Sequence, residues 1–93
     1  MKPKIGRKVY CIYGTGILVD TVGFLGRDSF IINSFGTETE LDSWEWDYNM
    51  YEDGWFTSLS KAKQKLIDNY KNKYEGKLKV TKIGNAWYSL EFC

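Results

Sequence analysis

Residues 38–56 hold the side chains best suited to do chemistry. Glu38, Glu40, Asp42, Glu45, Asp47, Glu52 and Asp53 are interleaved there with Trp44, Trp46, Tyr48, Tyr51 and Trp55, and no basic residue interrupts them. Two kinds of chemistry are open to such a mixture. Paired carboxylates can pass a proton in general acid–base catalysis. Exposed rings can anchor a partner, because Trp and Tyr are enriched at interface centres and carry much of the binding energy. The catalytic option finds no help elsewhere. The chain has no histidine, which removes the commonest general base and metal ligand and every Ser-His-Asp or Cys-His arrangement. Cys11 and Cys93 form no C-x-x-C unit, so no zinc site is expected. Gly14, Thr15 and Gly16 lack the lysine and the strand-to-helix setting of a phosphate loop. Glu38 and Glu40, two residues apart in a polar stretch, read as solvated acids. The expectation is a non-enzymatic protein that uses neither cofactor nor metal.

The binding option names a surface: Trp44, Glu45, Trp46, Asp47, Tyr48, Tyr51, Asp53 and Trp55. Its acidic field suits a protein partner with a basic surface and speeds their encounter. A narrower version is a cage of rings and a carboxylate around a methylated lysine. The plainer reading of the same residues is a half-buried strand over Ser43–Tyr48, with Trp44, Trp46 and Tyr48 inward and Glu45 and Asp47 outward.

Charge supplies a second candidate. The net charge is only +1, but residues 1–8 sum to +4, residues 36–54 to −7 and residues 61–82 to +6. Lys61, Lys65, Lys71, Lys77 and Lys79 therefore form an alternative, nucleic-acid-binding set. Phosphate binding needs such cations gathered on one face. At ~100° per residue the helix lysines spread around the axis, with Lys63 and Lys73 beside the apolar stripe. That pattern favours a solvated helix, and nucleic acid is the second choice of partner.

The elements that must position these residues follow from glycines and alternation. Ninety-three residues form one domain, spanning 1–93. Aromatics at 17% argue for a packed core, since disordered chains are poor in them. Strands are expected at Lys8–Tyr13 and Ile17–Val22, joined by a three-residue loop, Gly14 to Gly16. In that register Val9, Cys11 and Tyr13 oppose Thr21, Val19 and Ile17 on one core face. A short run at Phe24–Leu25 and a turn at Gly26–Asp28 lead to a strand at Ser29–Phe35. There Phe24 faces Phe30, and Val22 faces Ile32. After the Ser43–Tyr48 strand, residues 49–54 read as a loop. A helix starts after the cap Ser58, presents Leu59, Ala62, Leu66, Ile67, Tyr70 and Tyr74 on one face, and stops at Gly76.

The last hairpin has a preferred register. A three-residue loop, Gly84 to Ala86, pairs Val80 with Leu90, Leu78 with Phe92 and Lys82 with Tyr88. It also sets Lys79 against Glu91 and Thr81 against Ser89. A two-residue loop would scatter lysines and leucines over both faces. The order is β-β-β-β-α-β-β. The fold class is α+β, mainly β: a strongly bent antiparallel sheet or small barrel with one helix.

From Gly6, Arg7, Lys8, Val9 and Tyr10 through Asp28, Ser29, Phe30, Ile31 and Ile32, the run of strands and turns resembles SH3-like barrels of the KOW or Tudor type. The resemblance covers the first third to half of the chain. It implies a barrel that binds RNA, as KOW domains do, or methylated lysine, as Tudor domains do. Size and pattern also resemble small accessory proteins of phages and mobile elements in low-GC bacteria. Some of these inhibit host or defence proteins, anti-CRISPR proteins among them. No signal segment and no membrane-length apolar run occur in the sequence, so a cytoplasmic protein with reduced thiols is expected. Oligomeric state is left open by the sequence.

Overall fold

The computed structural model describes residues 2–32, 45–73 and 77–92. Trp44, the part of the expected third strand beyond Ile32, Tyr74 and Gly76 of the expected helix, and Cys93 lie outside this set. The elements are β1 (Lys8–Tyr13), β2 (Gly16–Leu25), β3 (Ser29–Ile32), β4 (Glu45–Asp47), β5 (Trp55–Phe56), α1 (Leu59–Tyr70), β6 (Leu78–Ile83) and β7 (Trp87–Phe92). The fold is α+β and mainly β, a curled antiparallel sheet with one helix against it. The expected order holds, with the two-residue β5 inserted before α1. No helix among the described residues is long and apolar enough to cross a membrane.

The curl comes from β2. This ten-residue strand pairs with β1 along one edge, while its other edge is shared. Its start, Gly16 to Leu18, pairs with β7, and its end, Val22 to Leu25, pairs with β3. One strand thus belongs to two sheet halves, β4-β3-β2-β1-β5 and β6-β7-β2. The register shifts between Val22 and Phe24, and the extra residue there, Gly23, bends the strand. Val22 meets Ile32 as expected. Phe24 does not meet Phe30: it pairs with Ile31 and is 58% exposed, while Leu25 takes Phe30.

The first hairpin departs from expectation by one residue. Tyr13 pairs with Gly16, Ile12 with Ile17 and Cys11 with Leu18. The loop is therefore two residues, Gly14 and Thr15. Gly14 has φ +60°, as the first central position of a type II′ turn requires. The slip moves Ile17 to the face opposite Cys11. The sheet consequently buries both faces. Val9, Cys11, Val22, Phe30, Ile32 and Trp55 form one core. Ile17, Phe56, Ala62 and Leu66 form the other, beneath α1, with Tyr10, Ile12, Leu59, Tyr70, Val80, Tyr88 and Leu90 around it.

The helix starts where its cap dictates. Ser58 is extended, and its Oγ accepts the Lys61 N–H at 3.5 Å. The helix extends to Tyr70, whose hydroxyl donates to the Gly14 carbonyl at 3.2 Å. The final hairpin takes the expected register at every pair from Leu78–Phe92 to Lys82–Tyr88.

Cys11 lies at the centre of the first core with no exposed surface. Burial, with a smaller push from Asp20, raises its thiol from 9.0 to about 12. In the unfolded chain the thiol ionises first, so the folded state holds more protons between these values. The contribution to stability is intact below pH 9 and is lost as pH climbs toward 12, by at most about 4 kcal/mol. Urea midpoints at about pH 8 and about pH 10.5 should therefore fall more for the wild type than for Cys11→Ala. Parallel falls would contradict this.

Candidate functional site

The aromatic-acidic segment begins as an edge strand and then coils. In β4, Trp46 pairs with Phe30, Glu45 with Ile31 and Asp47 with Ser29. Alternation turns Trp46 toward the first core and leaves Glu45 and Asp47 exposed. The Ser29 hydroxyl donates to Glu45 Oε2 at 2.5 Å. A single 3-10 turn, Tyr48–Met50, follows. Tyr48 leaves the strand direction expected for it. Its N–H donates to Asp28 O at 3.0 Å and its hydroxyl to Gly26 O at 2.8 Å, so it is pinned to the β2–β3 turn.

The rings divide by role. Trp55 is 0% exposed, and its Nε1–H donates to Asp47 O at 2.9 Å. It meets Phe30 edge-on at 4.9 Å and Tyr51 at 4.8 Å between ring centroids. Trp55 is therefore a core residue, which corrects its placement in the partner-binding set. Rings at these spacings pack against one another, so Trp55 offers no open face to a cation. Tyr48 stacks on Phe30 at 6.3 Å and remains half-buried, as does Tyr51, whose hydroxyl lies 3.3 Å from Thr57 Oγ1. Trp46 is half-buried as well. Its Nε1–H is buried without an acceptor among the described residues.

Met50 completes the outer surface. It is 37% exposed, and its methyl lies over Gly54, close to Trp46. The sequence gives no signal for its role, because nothing local shows that Gly54 opens a seat for it. Trp46 and Met50 thus form an apolar patch with Glu45 and Asp47 at its border.

Among the described residues the segment's other two acids, Glu52 and Asp53, are engaged. Glu52 sits at φ +62°, a conformation that disfavours a side chain. Its carboxylate accepts from Lys61 Nζ at 2.7 Å, which holds the lysine above its ordinary range. Asp53 pairs with Lys65 at 3.0 Å, and Lys71 pairs with Asp68 at 3.6 Å. Such exposed pairs add little to stability, but they decide where charge is left over. Three of the five candidate phosphate-binding lysines are engaged by carboxylates. Lys77 and Lys79 lie on the far hairpin, and Lys79 points away from the helix side because Val80 faces it. The five are not gathered on one face. On β6, which among the described residues pairs only with β7, lysines also guard a sheet edge against other strands.

A second outward cluster lies on β1, β6 and β7. Tyr13 meets Trp87 edge-on at 6.4 Å, and Ile83 pairs with Trp87 across the hairpin. The Trp87 indole rests directly on Gly16.

No protein-family model, curated protein or solved structure matches the chain.

Proposed function

We propose that the chain is a non-enzymatic protein-binding module whose contact surface is the Trp46–Met50 patch bordered by Glu45 and Asp47. The observation that carries this reading is the pairing of a partly exposed Trp and Met over Gly54 beside two carboxylates that no lysine neutralises among the described residues. Such an apolar anchor in a charged rim is the usual anatomy of an interface. The remaining charge favours a partner with a basic surface. The acids give rate and salt dependence, and the anchor gives affinity. The narrower reading, a phage or mobile-element protein that inhibits a host or defence protein in the cytoplasm, draws its support from size and strand pattern alone.

The experiment is affinity capture with three baits: wild type, Met50→Lys and Lys61→Gln. Met50→Lys removes the anchor and adds a repelling charge at an exposed site, while Lys61→Gln alters the neighbouring ion pair only. A partner retained by wild type and Lys61→Gln and lost by folded Met50→Lys is expected. Retention by all three would remove this surface from consideration.

A further inference from the structure

Folding treats the two basic regions of the chain differently. The helix lysines Lys61, Lys65 and Lys71 are matched by acids. Lys2, Lys4 and Arg7 are not: among the described residues none of the three is in an ion pair. Together with Pro3 and Thr57 they line one cavity of about 120 Å³.

The backbone beneath these cations is fixed. Pro3 is buried. Arg7 N–H donates to Lys4 O at 3.0 Å, closing a turn. Gly6 N–H donates to Val22 O at 2.8 Å, and Val22 N–H returns a bond to Arg7 O at 3.0 Å. Lys2 also lies over the Tyr48 ring at 5.6 Å. Thr57, the fifth lining residue, has its hydroxyl 3.3 Å from that of Tyr51. It immediately precedes Ser58, the cap of α1. Holding three cations around one cavity costs mutual repulsion, and an anion there would relieve it.

We infer that this cavity is a binding site for a phosphate dianion, free or as a monoester. Arg7 offers a planar fork that matches two phosphate oxygens, and the lysines add point charges. Ligand sites for larger molecules occupy roughly 300–1,000 Å³, so this cavity suits a single oxyanion group. A nucleic-acid backbone presents a monoanion every ~3.4 Å along a strand and calls for cations along a track. Three cationic residues lining one small cavity answer a compact dianion instead. The residues lining this cavity include none of Glu45, Trp46, Asp47 or Met50, and the inference stands without that proposed surface.

The test is an amide NMR titration at constant ionic strength, at a pH well above ~6, where a monoester is a dianion. Inorganic phosphate, O-phosphoserine and dimethyl phosphate are the three probes. Saturable shifts at Lys4, Arg7 and Thr57 are expected with one or both dianions. Saturation by phosphoserine alone would identify a phosphorylated side chain as the source, and saturation by inorganic phosphate a free anion. Arg7→Gln, which changes only an exposed side chain, should weaken binding about tenfold, with Lys4→Gln as a second variant and Lys61→Gln without effect. Linear shifts up to roughly 50 mM, equal losses for Lys61→Gln and Arg7→Gln, or a preference for dimethyl phosphate would overturn the assignment.

Discussion

Replacing Trp55 with alanine is expected to lower the free energy of unfolding by about 3–5 kcal/mol. The side chain has no exposed surface and joins the first core to β5, which is itself held by only two pairs to β1, Cys11–Trp55 and Tyr10–Phe56. Truncation opens a cavity between Phe30 and Tyr51 and strips Asp47 O of its donor. A domain of this size has ~5–15 kcal/mol in total, so the variant loses a large share of its stability. Trp55→Phe keeps most of the ring volume and loses the hydrogen bond, and should cost nearer 1–2 kcal/mol beyond its smaller burial. Equilibrium urea unfolding measures both. A loss under ~1 kcal/mol for the alanine variant would mean that Trp55 is not the core residue described.

The second large effect is expected at Gly16. A Cβ built there would lie 2.1 Å from the Trp87 ring, so Gly16→Val cannot be accommodated while the indole stays in place. The ring must swing out, and the three β2–β7 pairs, Gly16–Ser89, Ile17–Tyr88 and Leu18–Trp87, lose their packing. Overpacking of this kind costs about 1–3 kcal/mol. The loss should be local: hydrogen exchange should accelerate in β6 and β7 and change little in β1–β4. Removing the ring as well tests the cause. Gly16→Val with Trp87→Ala should cost less than the sum of the single changes, a favourable coupling of roughly 1 kcal/mol or more. Additive losses would show that the clash is not the source.

The parts of this fold legible in the sequence were those where only one arrangement separates apolar from charged residues. The last hairpin is the clearest. Lys79 against Glu91 and Val80 against Leu90 occur together in one register, and that register forms. Ser58 likewise marks the helix start through a local hydrogen bond. The first hairpin resisted for the opposite reason. Both faces of β1 and β2 are apolar because both are buried, so sidedness could not choose between loops of two and three residues. The Gly23 irregularity carries no signal that separates it from a turn.

The candidate site shows the same division. Alternation correctly turned Glu45 and Asp47 outward, but it cannot say how deeply a ring is buried. Trp46 and Trp55 differ only in what folds over them. The pairs Lys61–Glu52 and Lys65–Asp53 join the helix to a turn through the fold, so segment charges overstated both the acidic field and the basic one. The convergence of Lys2, Lys4 and Arg7 needs the turn that folds the arm onto Val22, and composition records it only as a basic start.

Trp46 and Met50, with Glu45 and Asp47 beside them, are proposed as the surface by which this protein binds a basic partner. The most direct test is the affinity of the captured partner for wild type and for Met50→Lys, titrated side by side with folding checked for each. At least about a 30-fold weakening is expected for Met50→Lys, the ~2 kcal/mol typical of an interface anchor. An unchanged affinity in a folded Met50→Lys variant would contradict it.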